Sequence, residues 1–350
     1  MATAANAWKL VQRAEEIGFS NAWFYDTQML SADCFVAMGA AAARTERIRL
    51  GTGVLIPSNR IAPVAANALA TLNQLAPGRI DFGVGTGFTG RRAMGLGAMK
   101  LADMEEYIRI VYDLLDGKLL EAEFEGQTKK IKFLNPELGL INTQDPIPLH
   151  ISAYGPRSRT LVAKLGGAWL NFVGDVEAAV TSLEEMRRIW TDSGRDLGEL
   201  KATEFALGCV LNDGEPFNSP RAMAQAGPRA AVILHRAADE AISGLPNASG
   251  IPEAAAEAIS RYVEHAKGYE PADAKYLENH RGHLMFLKPA EQEFVTAELI
   301  RDTSFTAPEA ELKNRIGDLR DAGYNQFTIQ IVPGQEDAIE DWGRIRKYFS

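Results

Sequence analysis

The chain has 350 residues, 46% hydrophobic and 24% charged, with 31 glycines and 16 prolines; about 75% of the surface of a chain this long is buried on folding, so disorder is excluded. Its formal net charge of -9, from 46 acidic against 37 basic residues, argues against a nucleic-acid partner, because the basic pairs Arg91-Arg92 and Lys129-Lys130 stand isolated. Two cysteines, no visible secretory signal, and no apolar run longer than that at residues 35–43 exclude a disulfide scaffold and a membrane span of ~20 residues. The expectation is a cytoplasmic protein.

Residues 5–17 carry Trp8, Val11, Ala14 and Ile17 on one helical face, and Gly18 ends the helix. Residues 21–25 form a short strand running into Asp26, and residues 33–44 an alanine-rich helix. The next strand covers residues 48–54 and the next helix 63–75, with Pro63 in its first turn. Residues 79–84 read as a strand, followed by a glycine-rich loop and a helix over 101–115. Further strands are expected at 148–152, 168–172, 202–211 and 326–332, and helices at 158–165, 176–190, 309–322 and 337–348. Two segments break this alternation. Residues 118–146 carry a hairpin insertion turning at Glu125-Gly126-Gln127, and residues 219–300 are helical and loop-rich, a candidate lid before the last strand.

Strand–helix alternation implies parallel strands with right-handed crossovers. An α/β fold of the (β/α)8 barrel type needs roughly 250 residues, but this chain opens on a helix. A barrel of seven strands, a first strand upstream of residue 1, and a doubly wound open sheet are all compatible with the pattern.

In such folds ligands bind beyond the carboxyl ends of the strands. This rule selects Tyr25, Asp26 and Thr27; Gly53 to Asn59; Gly85 to Arg92; Ser152 to Arg157; Asn171; Asn212; and Pro333-Gly334. Gly85-Thr86-Gly87 lets a flat ring approach the backbone, yet lacks the helix start and the downstream acid of a dinucleotide fingerprint. A tight exit turn is the plainer reading. Tyr154-Gly155-Pro156-Arg157-Ser158 reads as an anion cradle at a helix start, with an ordinary strand-to-helix turn as the alternative.

His280 and His283 flank Arg281-Gly282 inside the long insertion. No third ligand accompanies them, so a metal is not expected. Either they handle protons from a lid, or they are a helix-surface or capping pair. His150 reads as a core residue; His235 and His265 lack local context. No nucleophile elbow, Walker loop or His-Glu-x-x-His motif is present.

The combination of Ala14–Phe19 with Ala22–Asp26, Ala42–Val54, Ala70–Arg79, Phe82–Gly87 and Ile147–Pro156 resembles the bacterial luciferase-like superfamily of flavin and deazaflavin oxidoreductases. The resemblance covers residues 8–175 and again from about 300 onward. It implies a (β/α)8 barrel whose first strand precedes residue 1, and a non-proline cis peptide at Gly53-Val54 supporting a flavin or deazaflavin ring. It also implies ring- or tail-lining positions at Asp26, Thr86 and Gly87, and a phosphate loop at Gly155-Pro156-Arg157, beside which Tyr154 is a further cofactor-binding candidate. Homodimers are common among such proteins. Superfamily sugar-phosphate dehydrogenases place a His and a Glu where this chain has Thr27 and Phe88, so their chemistry does not transfer. Trp23, Phe24 and Phe88 suggest an apolar, aromatic ring environment suited to a planar or apolar small-molecule substrate.

The expected function is that of a monooxygenase using reduced FMN from a separate flavin reductase, with His280, His283 and Tyr25 handling substrate or protons. The alternatives are hydride transfer with the deazaflavin coenzyme F420 and a non-catalytic flavin-binding protein.

Overall fold

The computed structural model describes residues 3–245 and 255–349. They form two units, the first comprising residues 1–88 and 98–168, the second residues 89–97 and 169–350.

In the first unit, helix α1 (Ala7–Ile17) buries Ala7, Val11 and Ala14 and stops at Gly18, whose φ of 97° returns its N–H to Ala14 and Glu15. Strand β1 (Asn21–Phe24) leads to α2 (Cys34–Ala42), whose first amides are capped by the Asp33 carboxylate. Then come β2 (Arg49–Thr52), α3 (Ala62–Leu75) with Pro63 in its first turn, and the fully buried β3 (Ile80–Val84). A short helix, α4 (Phe88–Arg92), follows at once, and all of it but Phe88 belongs to the second unit. After α5 (Leu101–Leu115), the expected hairpin is present as β4 (Leu120–Phe124) and β5 (Gln127–Ile131). Strand β6 (Leu149–Ser152) and α6 (Pro156–Leu165) complete the unit. Its parallel strands run in the order β1-β2-β3-β6.

One side chain explains two glycines on these strands, and a backbone carbonyl explains a third. A Cβ on Gly51 would lie 2.5 Å from the Trp23 ring, one on Gly53 would lie 2.9 Å from Trp23 Cβ, and one on Gly83 would collide with the Thr52 carbonyl. The indole thus occupies the volume its neighbours leave empty, and His150 meets it edge-on at 4.9 Å. Below it, buried Asp81 accepts hydrogen bonds from Asn21 and Arg49. Burial opposes its charge, but His150, 3.4 Å away, and Arg49 hold the carboxyl below its usual range.

The second unit begins with β7 (Ala168–Phe172), α7 (Val176–Asp192) and β8 (Ala202–Ala206). The continuous strand expected to Leu211 is instead divided: Gly208 lies against the Phe305 carbonyl, and β9 (Val210–Leu211) leaves to pair with β10 (Ala307–Pro308). Between them lie α8 (Pro220–Ser243), α9 (Ala256–Lys267), α10 (Tyr276–His280) and α11 (Ala297–Thr303). Part of the predicted lid, residues 246–254, lies outside the described residues. Helix α12 (Glu309–Ala322), β11 (Gln326–Ile329) and α13 (Ala338–Tyr348) end the chain. The strand order is β7-β8-β11, all parallel. Leu234 and Ala230 of α8 pack with Ile259 and Tyr262 of α9 and with Leu299 and Ile300 of α11. Among the described residues no helix is long and apolar enough to cross a membrane.

Candidate active site

The first unit gathers most of the predicted site residues at the carboxyl ends of β1, β2, β3 and β6. Asp26 follows β1 and is buried. Its carboxylate accepts the Ile56 amide at 3.2 Å, the Asn59 side chain at 3.1 Å and Arg60 at 2.8 Å. Arg60 in turn reaches Asp33, the cap of α2, at 2.5 Å. Asp26 therefore anchors the loop after β2, a role the sequence did not reveal. Tyr25 beside it is half-buried, and burial pushes its hydroxyl up to about 12. The phenol keeps its proton and is suited to donating a hydrogen bond rather than to acting as a base.

Next comes a shelf. The Gly53-Val54 peptide is cis, as the resemblance implied. Gly53 and Val54 are half-buried between buried Thr52 and Leu55, so this stretch of backbone is partly exposed at the strand end. The chain then rejoins β3, with the Leu55 amide donating to Gly83 at 2.8 Å and the Gly85 amide to Leu55 at 3.1 Å. A Cβ on Gly85 would lie 2.8 Å from Val54 Cγ2, so the absent side chain is what admits valine. Gly87 has a φ of 76°, and the Thr86 carbonyl accepts the Met99 amide, which fixes the loop.

The helix start that the Gly85–Gly87 loop was expected to lack is present as α4. Gly90 in its middle obscured it; Arg92, bonded to buried Asp239 at 2.5 Å, holds it. The aromatic surround also differs from expectation. Phe24 is buried in the core and Trp23 fills the strand interior, leaving half-buried Phe88 of the three.

After β6, exposed Tyr154, Gly155 and Arg157 surround the first turn of α6. Gly155 is its N-cap, and a Cβ added there would meet nothing within 4 Å. Ser158 donates to the Gly155 carbonyl at 2.8 Å, leaving first-turn amides at the start of the helix, where Arg157 is exposed. The Gly53-Val54 shelf suits one face of a flat ring, and the α6 start suits an anionic tail. The residues fit a flavin or a deazaflavin.

His280 and His283 belong to the second unit and are buried, so the helix-surface reading fails. His283 Nδ1 lies 2.8 Å from His235 Nδ1, and its Nε2 lies 3.4 Å from Thr89 Oγ1 on α4. His235 Nε2 lies 2.6 Å from Glu291. That carboxylate also accepts from Tyr262 at 3.1 Å, Lys288 Nζ at 2.9 Å and the Lys288 amide at 3.0 Å. Burial works against its ionisation, but His235 and Lys288 hold it down at about 2. Burial likewise lowers both His235 and His283, the second further because His235, His280, Arg236 and Arg229 add like charge. We therefore take both imidazoles as neutral and Lys288 as the countercharge of Glu291. His280 Nε2 lies 2.8 Å from Asp239, whose carboxylate also binds Asn279 and Arg92. No group of three or more His, Cys, Asp or Glu among the described residues is arranged to hold a metal. His235, Glu291, Lys288 and Asp239 were missed in the sequence, whereas Thr89 lay within the selected run Gly85 to Arg92. The one available hint was a histidine, His235, directly after the apolar run Ala231 to Leu234 of α8.

The family model for luciferase-like monooxygenases matches residues 1–326. By sequence, the chain is 32% identical over 173 residues to the F420-dependent glucose-6-phosphate dehydrogenase of Nakamurella multipartita, covering 47% of this chain and 49% of that one. The chain thus spans about half the length of the curated relatives it matches. By structure, the F420-dependent tetrahydromethanopterin reductase of Methanopyrus kandleri superposes with a TM-score of 0.73 at 19% identity, covering 99% of this chain and 96% of that one. The oxygenating constituent of 3,6-diketocamphane monooxygenase from Pseudomonas putida, in complex with FMN, gives 0.60 at 13% identity, covering 99% and 91%. These likenesses establish the (β/α) barrel class of the fold. With the family match extending over most of its length, the chain belongs to the luciferase-like monooxygenase family.

Proposed function

We propose that this chain is an oxidoreductase that binds coenzyme F420 and exchanges hydride with a small organic substrate. The carrying observation is that the sequence-level likeness runs to enzymes named for F420, whereas the FMN-holding neighbour is similar in fold alone. This reverses the preference for FMN drawn from sequence. The chain's own contribution is positional. The Gly53-Val54 shelf and Gly85 support a ring face, Tyr25 offers a hydrogen bond near β1, and the first turn of α6 with Arg157 binds the phosphate. When bound, the deazaflavin supplies a ring carbon that takes up or gives hydride and, lacking the flavin nitrogen there, disfavours oxygen chemistry.

Equilibrium binding of oxidised coenzyme F420 and of FMN to the purified protein, followed by anaerobic turnover with a panel of small alcohols, tests the reading. Tighter binding of the deazaflavin and its oxygen-independent bleaching are expected. Retention of FMN with turnover that needs both oxygen and a separate reductase would overturn it and restore the monooxygenase reading.

A further inference from the structure

Helix α10 and the turn after it are fastened to α8 by a buried seam, within the second unit, that has no ready place for an added proton. Glu291 accepts from Lys288 Nζ, the Lys288 amide, Tyr262 and His235, so it is a carboxylate and His235 presents Nε2–H to it. The other nitrogen of that ring, Nδ1, lies 2.8 Å from His283 Nδ1, and only one hydrogen fits between them. Neutral His235 accepts there and neutral His283 donates. The one bare nitrogen of the pair, His283 Nε2, faces Thr89 Oγ1 at 3.4 Å, in a residue 3% exposed. A proton placed on it creates a charge beside Arg229, Arg236 and His280. Both carboxylates within reach are already matched, Glu291 by Lys288 and Asp239 by Arg92.

The turn that this seam holds is also strained. Gly282 has a φ of 78° and Leu284 one of 60°, a backbone region that a bulky side chain avoids. The Leu284 carbonyl accepts from Gln330 Nε2 at 2.7 Å, directly after β11, so the turn lies on the carboxyl end of that strand. In parallel α/β folds ligands enter at such ends. The seam thus holds closed a turn whose own backbone favours opening.

We infer that the His235–His283 pair is an acid-operated latch: at neutral pH it fastens residues 280–291 to α8 and over the end of β11, and uptake of one proton by each ring releases that segment. The latch works the same whichever cofactor the protein binds. The groups facing His235 are Glu291 and Lys288 from the segment itself, Tyr262 from α9 and His280 from α10. Those facing His283 are His235, Arg229 and Arg236 from α8, His280 from α10 and Thr89 from α4. Asp239 and Arg92 lie one contact further, through His280. Burial lowers both histidines in the folded protein, so below their ordinary value of 6.5 the released segment binds protons that the latched one refuses. The latch is therefore full above pH 6.5 and weakens as pH falls below it. Glu291, held down at about 2, keeps its charge across this range. Glu204 on β8, raised to about 8, titrates with the opposite sign and cannot imitate the effect.

Amide hydrogen exchange of the purified protein across this pH range, corrected for intrinsic rates, reads the opening of residues 276–291. From pH 6.5 to about 5.5 the opening constant should rise by more than the roughly fivefold that one ring can supply, and by as much as about thirtyfold for two. Protection of α5 in the first unit should not follow that slope. His235→Phe combined with His283→Leu should keep protection at neutral pH and abolish the slope. Should that variant not fold, nitrogen-15 NMR of the wild-type histidines decides: His283 protonated on Nδ1 and His235 on Nε2, both still neutral near pH 6, uphold the latch. Ordinary titration of either ring in the folded protein overturns it, as does a flat exchange profile or a slope that survives the double substitution.

Discussion

The shelf at the strand ends and the buried histidine row are built in opposite ways. The shelf is made from what is missing: Gly51, Gly53, Gly83 and Gly85 leave room for Trp23, the Thr52 carbonyl and Val54, and backbone does the positioning. The histidine row is made from what is present, seven ionisable side chains (Arg92, His235, Asp239, His280, His283, Lys288 and Glu291) of α4, α8, α10 and the segment after it, each at most 4% exposed. The shelf should therefore fail by steric collision, and the row by loss of a partner. Substitutions chosen in each region separate these two modes.

The largest effect is expected for Gly83→Ala. Its methyl group would enter the Thr52 carbonyl oxygen, while the Thr52 hydroxyl both accepts from the Gly83 amide at 3.0 Å and donates to the Gly83 carbonyl at 2.7 Å. Neither strand has slack, so roughly 4 kcal/mol or more of stability should be lost, with little soluble protein recovered. A variant with a wild-type urea midpoint would show that the strands separate easily and that the glycine is not required.

Lys288→Met comes next. It leaves the buried Glu291 carboxylate facing one neutral histidine and a phenol, at a cost of about 3–5 kcal/mol in urea unfolding. Replacing Lys288, Glu291 and His235 together by apolar residues of similar volume should recover most of that loss. If the triple variant is no more stable than the single one, the row is a structural requirement of the second unit in its own right.

How much of each region could be read from the sequence follows from the same contrast. Gly53, Gly85, Gly87 and Gly155 announce themselves locally, because a glycine at a strand exit constrains a few neighbouring residues. The partners of His283 lie 48 and 194 residues away, and those of Glu291 include one 56 residues away. Without the fold, His235 is simply a histidine on an alanine-rich helix. The split of the strand at Gly208 was hidden for the same reason, since the Phe305 backbone that forces it is remote. Trp23 illustrates the converse error: an aromatic at a strand end reads as a ligand surface until the facing glycines show that the interior claims it.

A smaller effect, and one of opposite sign to most carboxylates, is expected from Glu204 on β8. It is fully buried, accepting the Val173 amide at 2.7 Å and the Asn171 side chain at 2.9 Å. Burial outweighs these bonds and raises its carboxyl to about 8. Between its ordinary value of 4.5 and about 8, the folded state holds a proton that the unfolded state has released. Stability from this group is thus fullest below 4.5 and declines as pH rises toward 8, by something on the order of a few kcal/mol. Urea midpoints across that range should fall in the wild type, and Glu204→Gln should flatten the trend. A slope unchanged by the substitution would place the titration elsewhere.

Arg157→Ala should leave stability within about 0.5 kcal/mol of wild type, since the side chain is exposed on the first turn of α6 and no strand leans on it. Its consequence belongs to the ligand. A guanidinium bonded to a phosphate contributes roughly 1.5–3 kcal/mol, so the Kd for coenzyme F420 should rise about tenfold or more. The loss should shrink at high salt, where the charge is screened. Binding isotherms for wild type and Arg157→Ala at low and high salt therefore test whether the first turn of α6 holds the phosphate. A Kd that neither the substitution nor salt changes would place the anionic tail elsewhere.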